Sequence, residues 1–113
     1  MLLADMLLWD ETLCGIAGIV GSPQRDLSSA SQQLCHRGPD ADGLWAEEGI
    51  RLLHQRLSVV GLGDAGAQPM TSRSGRRVLV FNGEIYNFAE LRARLDSQGV
   101  VWRGDSDSEV LLE

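Results

Sequence analysis

The run Arg77-Val78-Leu79-Val80-Phe81 constrains this chain more than any other feature. It is apolar at every position after the first, which is the pattern of a strand buried on both faces. A strand of that kind needs a sheet with cover on each side. The run leads directly into Asn82-Gly83-Glu84, where the apolar pattern stops.

The other segments read around it. Cys14-Gly15-Ile16-Ala17-Gly18-Ile19-Val20 is expected to be a short buried strand that ends at Gly21-Ser22-Pro23. Asp26 is placed to cap a helix with Leu27, Ala30 and Leu34 on one face. His36-Arg37-Gly38-Pro39-Asp40 stops that helix. Residues 43–48 and 50–60 read as two strands around Glu48-Gly49, followed by a Gly-rich connection over 61–70. Asn87 and Glu90 have the spacing of a capping box, opening a helix that buries Leu91 and Leu95 and stops at Gly99. Residues 100–102 suggest another short strand. Ser106 and Glu109 form a second capping box, ahead of a helix through Val110, Leu111 and Leu112. That helix is about one turn long where the sequence stops, so the sequence is expected to end inside an element.

With 113 residues there is room for one domain and a modest core. A net charge of -6 makes a nucleic-acid backbone an unfavourable partner. All the basic residues are Arg, which rules out lysine chemistry and suggests a GC-rich genome. No stretch approaches the ~20 apolar residues of a membrane span. Residues 1–13 are apolar but carry Asp5, Asp10 and Glu11 and no basic residue, so they make a poor signal peptide. Cys14 and Cys35 could form one disulfide, but nothing else looks secreted, and a reducing cytoplasm is the expected setting. No CxxC pair exists, and His36 and His54 do not complete a zinc-type cluster.

Five clusters hold the candidate chemistry: Cys14-Gly15-Ile16-Ala17-Gly18, His36-Arg37-Gly38-Pro39-Asp40, His54-Gln55-Arg56-Leu57-Ser58, Phe81-Asn82-Gly83-Glu84-Ile85-Tyr86-Asn87 and Ser106-Asp107-Ser108-Glu109. Singly, each has an ordinary reading as a buried thiol, a turn, a hydrogen-bonded strand histidine or a helix cap. Together and in this order, from Cys14 to the last residue, they resemble the class II glutamine amidotransferase domain of glutamine-hydrolysing asparagine synthetases. Cys-Gly-Ile and His-Arg-Gly are shared across the class. Gly38-Pro39-Asp40, His54-x-Arg56-Leu57-Ser58, Gln68-Pro69-Met70 and Asn82-Gly83-Glu84-Ile85-Tyr86-Asn87 point to the asparagine-synthetase branch.

The resemblance implies an α+β fold, the αββα sandwich of N-terminal-nucleophile (Ntn) hydrolases, here incomplete because later strands and helices are missing. It implies hydrolysis of L-glutamine to glutamate and ammonia, with the ammonia destined for ATP-dependent amidation of aspartate. Cys14 is then the nucleophile, and its own α-amine the base. An α-amine has a pKa near ~7.7–8.0, so a neutral fraction exists at cell pH without any histidine. Asn82 and the Gly83 N–H match the oxyanion hole. Arg56 matches the partner of the substrate carboxylate, which a guanidinium fork suits. Glu84 and Asp107 match acidic residues near the substrate ammonium, and the backbone of Leu57, Ser58, Val59 and Val60 matches the strand lining the pocket. The loop at 36–40 is given no chemical role.

Three departures from the family pattern accompany these matches. Residues 1–13 precede Cys14 as a leader or a mis-assigned start, so the nitrogen that should be the base is a peptide amide as written. The domain, residues 14–113, stops about halfway, and no pyrophosphate-binding loop is present. Trp102 and Gly104 stand where an aromatic and a Thr are usual, which suggests a looser pocket. The hydrolysis needs no metal or cofactor, and ATP and Mg belong to a synthetase domain this chain does not contain. The expected partners are L-glutamine, that absent synthetase domain and, through unpaired sheet edges, further copies of the chain, with no nucleic acid and no membrane. The rival readings are an inactive truncated fragment, an interaction module, or a domain used only structurally, as in β-lactam synthetases, which lack the cysteine.

Overall fold

A computed structural model describes residues 14–21, 26–38, 41–57 and 64–113. They form a mixed α/β domain with two antiparallel sheets. The first sheet contains β1 (Gly15–Val20), β2 (Ala41–Glu47) and β3 (Ile50–Arg56), in the order β1-β3-β2. Its hairpin turns at Glu48-Gly49, where Gly49 has φ +78°, a left-handed conformation that costs glycine little. The second sheet is the short pair β4 (Met70–Thr71) and β5 (Val78–Leu79). The helices are α1 (Ser28–Leu34), α2 (Phe88–Asp96) and α3 (Asp107–Leu112), and Asp64–Gly66 makes a 3₁₀ turn.

Directly paired residues of neighbouring strands share a face. Gly15, Gln55 and Asp42 are one such row, and Ala17, Leu53 and Leu44 the next. Helix α1 lies on this face. A Cβ on Gly15 would stand 3.0 Å from Leu34 Cβ, and Gln55 Nε2 donates to Ser31 Oγ at 2.8 Å. Asp26 Oδ1 accepts from the Ser28 N–H and hydroxyl at 3.1 and 2.6 Å. It thus works as the expected cap, although the helix boundary falls at Leu27. Those bonds, the hydroxyl first, hold the Asp26 carboxyl below its ordinary pKa.

The opposite face carries Ile16, His54 and Gly43 in one row, then Gly18, Leu52 and Trp45, then Val20, Ile50 and Glu47. Cover is concentrated at one end of the sheet. Leu53, His54 and Gln55 are consecutive on β3 and only 2%, 2% and 4% exposed, so both faces are covered there. At the other end Val20 is 78% exposed. The expectation of a buried β1 therefore fails over much of its length. The strand alternates, because among the described residues nothing packs over its far end.

The Arg77–Phe81 run also differs from expectation. Only Val78 and Leu79 pair, with β4, and both are half-buried. Burial on both faces requires neighbours on both edges and layers on both sides; among the described residues β5 has one strand neighbour and α3 beside it. The expected box at Asn87 and Glu90 does not form. Asn87 has φ -98°, ψ 26°, away from the extended geometry that aims a capping side chain at the first helical N–H groups. Leu91 and Leu95 are half-buried. Residues 100–102 do not pair as a strand. Trp102 instead lies against Arg92, 4.4 Å from the guanidinium carbon to the ring centroid, and donates to Asp96.

At α3, Ser106 is extended (φ -75°, ψ 145°), and its hydroxyl accepts from the Glu109 N–H. Glu109, 0% exposed, completes a displaced version of the box. Its carboxylate accepts from the Arg103 and Gly104 N–H groups at 2.7 and 2.9 Å. No helix among the described residues is long and apolar enough to cross a membrane.

Candidate active site

The site forms where β1 begins and β3 ends. Cys14 immediately precedes β1, and the β1–β3 register brings it beside the end of β3, where the Leu57 N–H points at Cys14 Sγ across 3.5 Å. Cys14, Arg56, Leu57, Asn82 and Gly83 line a cavity of about 200 Å³. Leu57, Gly83 and Ser106 also border a neighbouring cavity of about 680 Å³, which contains Glu84, Ile85 and Asp107. The expected site residues thus occupy two adjoining hollows. Ser58, Val59 and Val60 lie outside the described residues.

Each side chain has a local reason for its position. Asn82 Nδ2 donates to the Cys14 carbonyl at 2.7 Å. Gly83 lies under the Phe81 ring, whose Cζ is 3.0 Å from where a Cβ would stand. Arg56 rests beside Gly66, with 3.4 Å from its Nη2 to a Cβ placed there. Asp107, in the first turn of α3, accepts from the Ile85 N–H through Oδ2 at 2.9 Å. A carboxylate at a helix N-terminus is favourably placed, and this one also holds the loop that follows Gly83.

Gly38, in the loop given no chemical role, has a structural part in the site. The Gly38 backbone sits directly on the Gln55–Arg56 peptide, leaving no space for a Cβ. Trp102 and Gly104 line neither cavity, and Gly104 instead faces Ala65 of the 3₁₀ turn. The looser pocket expected there does not follow from these positions. His54 lies in the smaller cavity, buried, and its Nε2 has no hydrogen-bond partner among the described residues. Burial, and secondarily the charge of Arg56, push its pKa down.

A sequence profile described as a glutamine amidotransferase domain matches residues 13–113. The chain belongs to the glutamine amidotransferase family. Among its relatives, the glutamine-hydrolysing asparagine synthetase 1 of Bacillus subtilis is 36% identical over 108 residues, covering 88% of this chain and 17% of that protein. A probable glutamine-hydrolysing asparagine synthetase of Schizosaccharomyces pombe is 45% identical over 82 residues, 73% of this chain and 14% of its own length. The glutamine-hydrolysing asparagine synthetase B of Escherichia coli is 44% identical over 82 residues, with the same shares. The chain spans less than a fifth of the length of these curated relatives. It is a class II amidotransferase domain, an Ntn-hydrolase relative, homologous to the glutaminase domains of asparagine synthetases.

Within this amidotransferase domain, sequence reasoning gave no part to Gln68. Its side chain reaches the Phe81 N–H and Ser108, and it lines the Cys14 cavity. The available signal was the Gln68-Pro69-Met70 motif, which served there only as a family marker.

Proposed function

We propose that this domain hydrolyses L-glutamine to glutamate and ammonia, and that the ammonia serves amidation of aspartate in an asparagine synthetase. The observation that carries this reading is the convergence of Cys14 Sγ, Arg56, Asn82 and Gly83 on one small cavity. Arg56 binds the substrate carboxylate, and Glu84 and Asp107 attract its ammonium. The Cys14 thiol attacks the amide carbon as its proton passes to the free α-amine of Cys14. Asn82 and the Gly83 N–H take the charge that develops on oxygen, a stabilisation of roughly 3–4 kcal/mol for each donor. The C–N bond breaks as the amine returns the proton, ammonia leaves, and water cleaves the thioester to give glutamate. The hydrolysis uses only these groups and calls for no cofactor; ATP and Mg would act in the synthetase step.

The same reading accounts for the apolar side chains exposed on the first sheet, among them Ile16, Val20 and Leu44. In the complete fold they meet further layers of an αββα sandwich. Both cysteines are free thiols, in keeping with a reducing cytoplasm.

The decisive experiment concerns residues 1–13, the leader in this reading. While they are attached, the Cys14 nitrogen is an amide and cannot accept the proton. General-base help contributes about 10²–10⁴-fold, so a form beginning at Cys14 should hydrolyse glutamine faster by at least the lower figure. A glutamine-analogue electrophile should label Cys14 only in that form, with mass spectrometry verifying each N-terminus. An uncleaved leader-bearing protein that hydrolyses glutamine equally fast would overturn the N-terminal-nucleophile mechanism. No hydrolysis in either form would favour a binding or interaction role.

A further inference from the structure

The oxyanion pair Asn82-Gly83 stands in a segment that, among the described residues, no sheet holds. Strand β5 ends at Leu79, and α2 begins only at Phe88. Backbone there needs other partners, because buried N–H and C=O groups are costly to leave unpaired. Two side chains from the Cys14 cavity supply them at Phe81. Gln68 Oε1 accepts from the Phe81 N–H. His54 lines the same cavity within hydrogen-bonding reach of the Phe81 backbone, and its Nε2 has no partner among the described residues.

We propose that Gln68 and His54 are positioning residues: Gln68 Oε1 and His54 Nδ1 both hold the Phe81 backbone and so fix where the Asn82 amide and the Gly83 N–H stand in the Cys14 cavity. The proposal rests on the glutaminase reading above.

Both grips are themselves anchored. His54 is 2% exposed and lies on β3 between the buried Leu53 and Gln55. Gln68 is built in from both sides. Its backbone carbonyl occupies the space a Cβ on Gly43 would need, and its side-chain Nε2 donates to Ser108 Oγ at 3.3 Å. Ser108 is the neighbour of Asp107, whose carboxylate takes the Ile85 N–H. Segment 81–85 is thereby held at both ends by side chains, with Asn82, Gly83 and Glu84 presented to the two cavities between them. Burial favours the neutral imidazole, and a neutral ring with its hydrogen on Nδ1 donates from that atom alone. An apolar residue at 68 would leave the Phe81 N–H without its acceptor.

Three variants and three readouts test this. In the form that hydrolyses glutamine, Gln68→Met should lower kcat about 10- to 100-fold, as a small misplacement of an oxyanion donor does. KM should stay within about twofold. Alkylation of Cys14 by iodoacetamide, which needs no oxyanion donor, should be unchanged. His54→Asn places an amide N–H where Nδ1 was and should retain most of kcat. His54→Gln places it at the Nε2 position and should fall with Gln68→Met. In the full chain, amide hydrogen exchange should quicken at Phe81 and Gly83 in Gln68→Met but not at Leu52 and Leu53 of β3. Unchanged exchange, an unchanged kcat in Gln68→Met, or equal losses in the two His54 variants would overturn the proposal. Wild-type protein beginning at Cys14 that hydrolyses no glutamine would overturn the reading beneath it, a result distinct from any of these.

Discussion

The Asn82 side-chain amide donates to the Cys14 carbonyl across 2.7 Å, joining residues 68 positions apart in the chain. A carboxamide nitrogen carries two hydrogens. One is engaged with Cys14, which leaves the other for a substrate oxygen. Asn82→Ala removes both and should lower kcat by about 10²- to 10³-fold while moving KM little. Steady-state glutaminase assays would measure the split, and a change confined to KM would contradict the assigned role.

Arg56 should show the reverse behaviour. A carboxylate contact acts in ground and transition states alike, so Arg56→Ala should raise KM and leave kcat nearly unchanged. A charge-assisted bond of about 1.5–3 kcal/mol corresponds to roughly 10- to 150-fold. Gly38→Ala should shift KM in the same direction, because a Cβ at 38 would push on the Gln55–Arg56 peptide. Glutamine titrations of both variants would test this, and a Gly38→Ala protein with ordinary KM would show that the peptide tolerates the displacement.

Glu109 bears on stability. Its carboxylate is fully buried and takes two backbone N–H groups, with Arg103 Nε 3.5 Å away. Glu109→Ala strands both donors and should cost about 3 kcal/mol. In a domain of this size that lowers Tm by more than about 10 °C. Calorimetry on the chain would measure it.

His54 makes stability depend on pH. Its folded pKa is lowered, first by burial and then by the charge of Arg56, so the unfolded chain binds the proton more readily. Above the ordinary histidine pKa of about 6.5 both states are neutral and stability is full. As pH falls below that value the unfolded state gains protons first, and stability declines until the folded pKa is passed. The Tm of wild type should therefore drop between about pH 7 and 5.5, with a smaller drop in His54→Asn. Parallel slopes would place the dependence elsewhere.

Much of this site was legible because it is written in short motifs that follow one another in order. Cys14, Arg56, Asn82 and Gly83 could be read only from the motifs taken together, and they converge because β1 and β3 pair in a register that brings residue 14 to the end of β3. The parts of Gln68, His54 and Gly38 were hidden. Gln68 acts through contacts 13 and 40 residues away, and no local pattern encodes such distances. The helix caps show the same limit. Asn87 and Ser106 have matching spacings to a Glu, yet only Ser106 adopts the extended backbone that lets its side chain cap. The Arg77–Phe81 run was legible as apolar but not as to its neighbours, since the burial of a strand is decided by what lies beside it.

The hairpin at Glu48-Gly49 has one more consequence. Strands β1 and β3 run away from Cys14 for six residues each before reaching it, about 20 Å at the usual rise per residue. Sequence drift, an inserted reporter or a tether to a surface at that turn should leave the surroundings of Cys14 untouched, which gives the molecule a handle at the end opposite that residue.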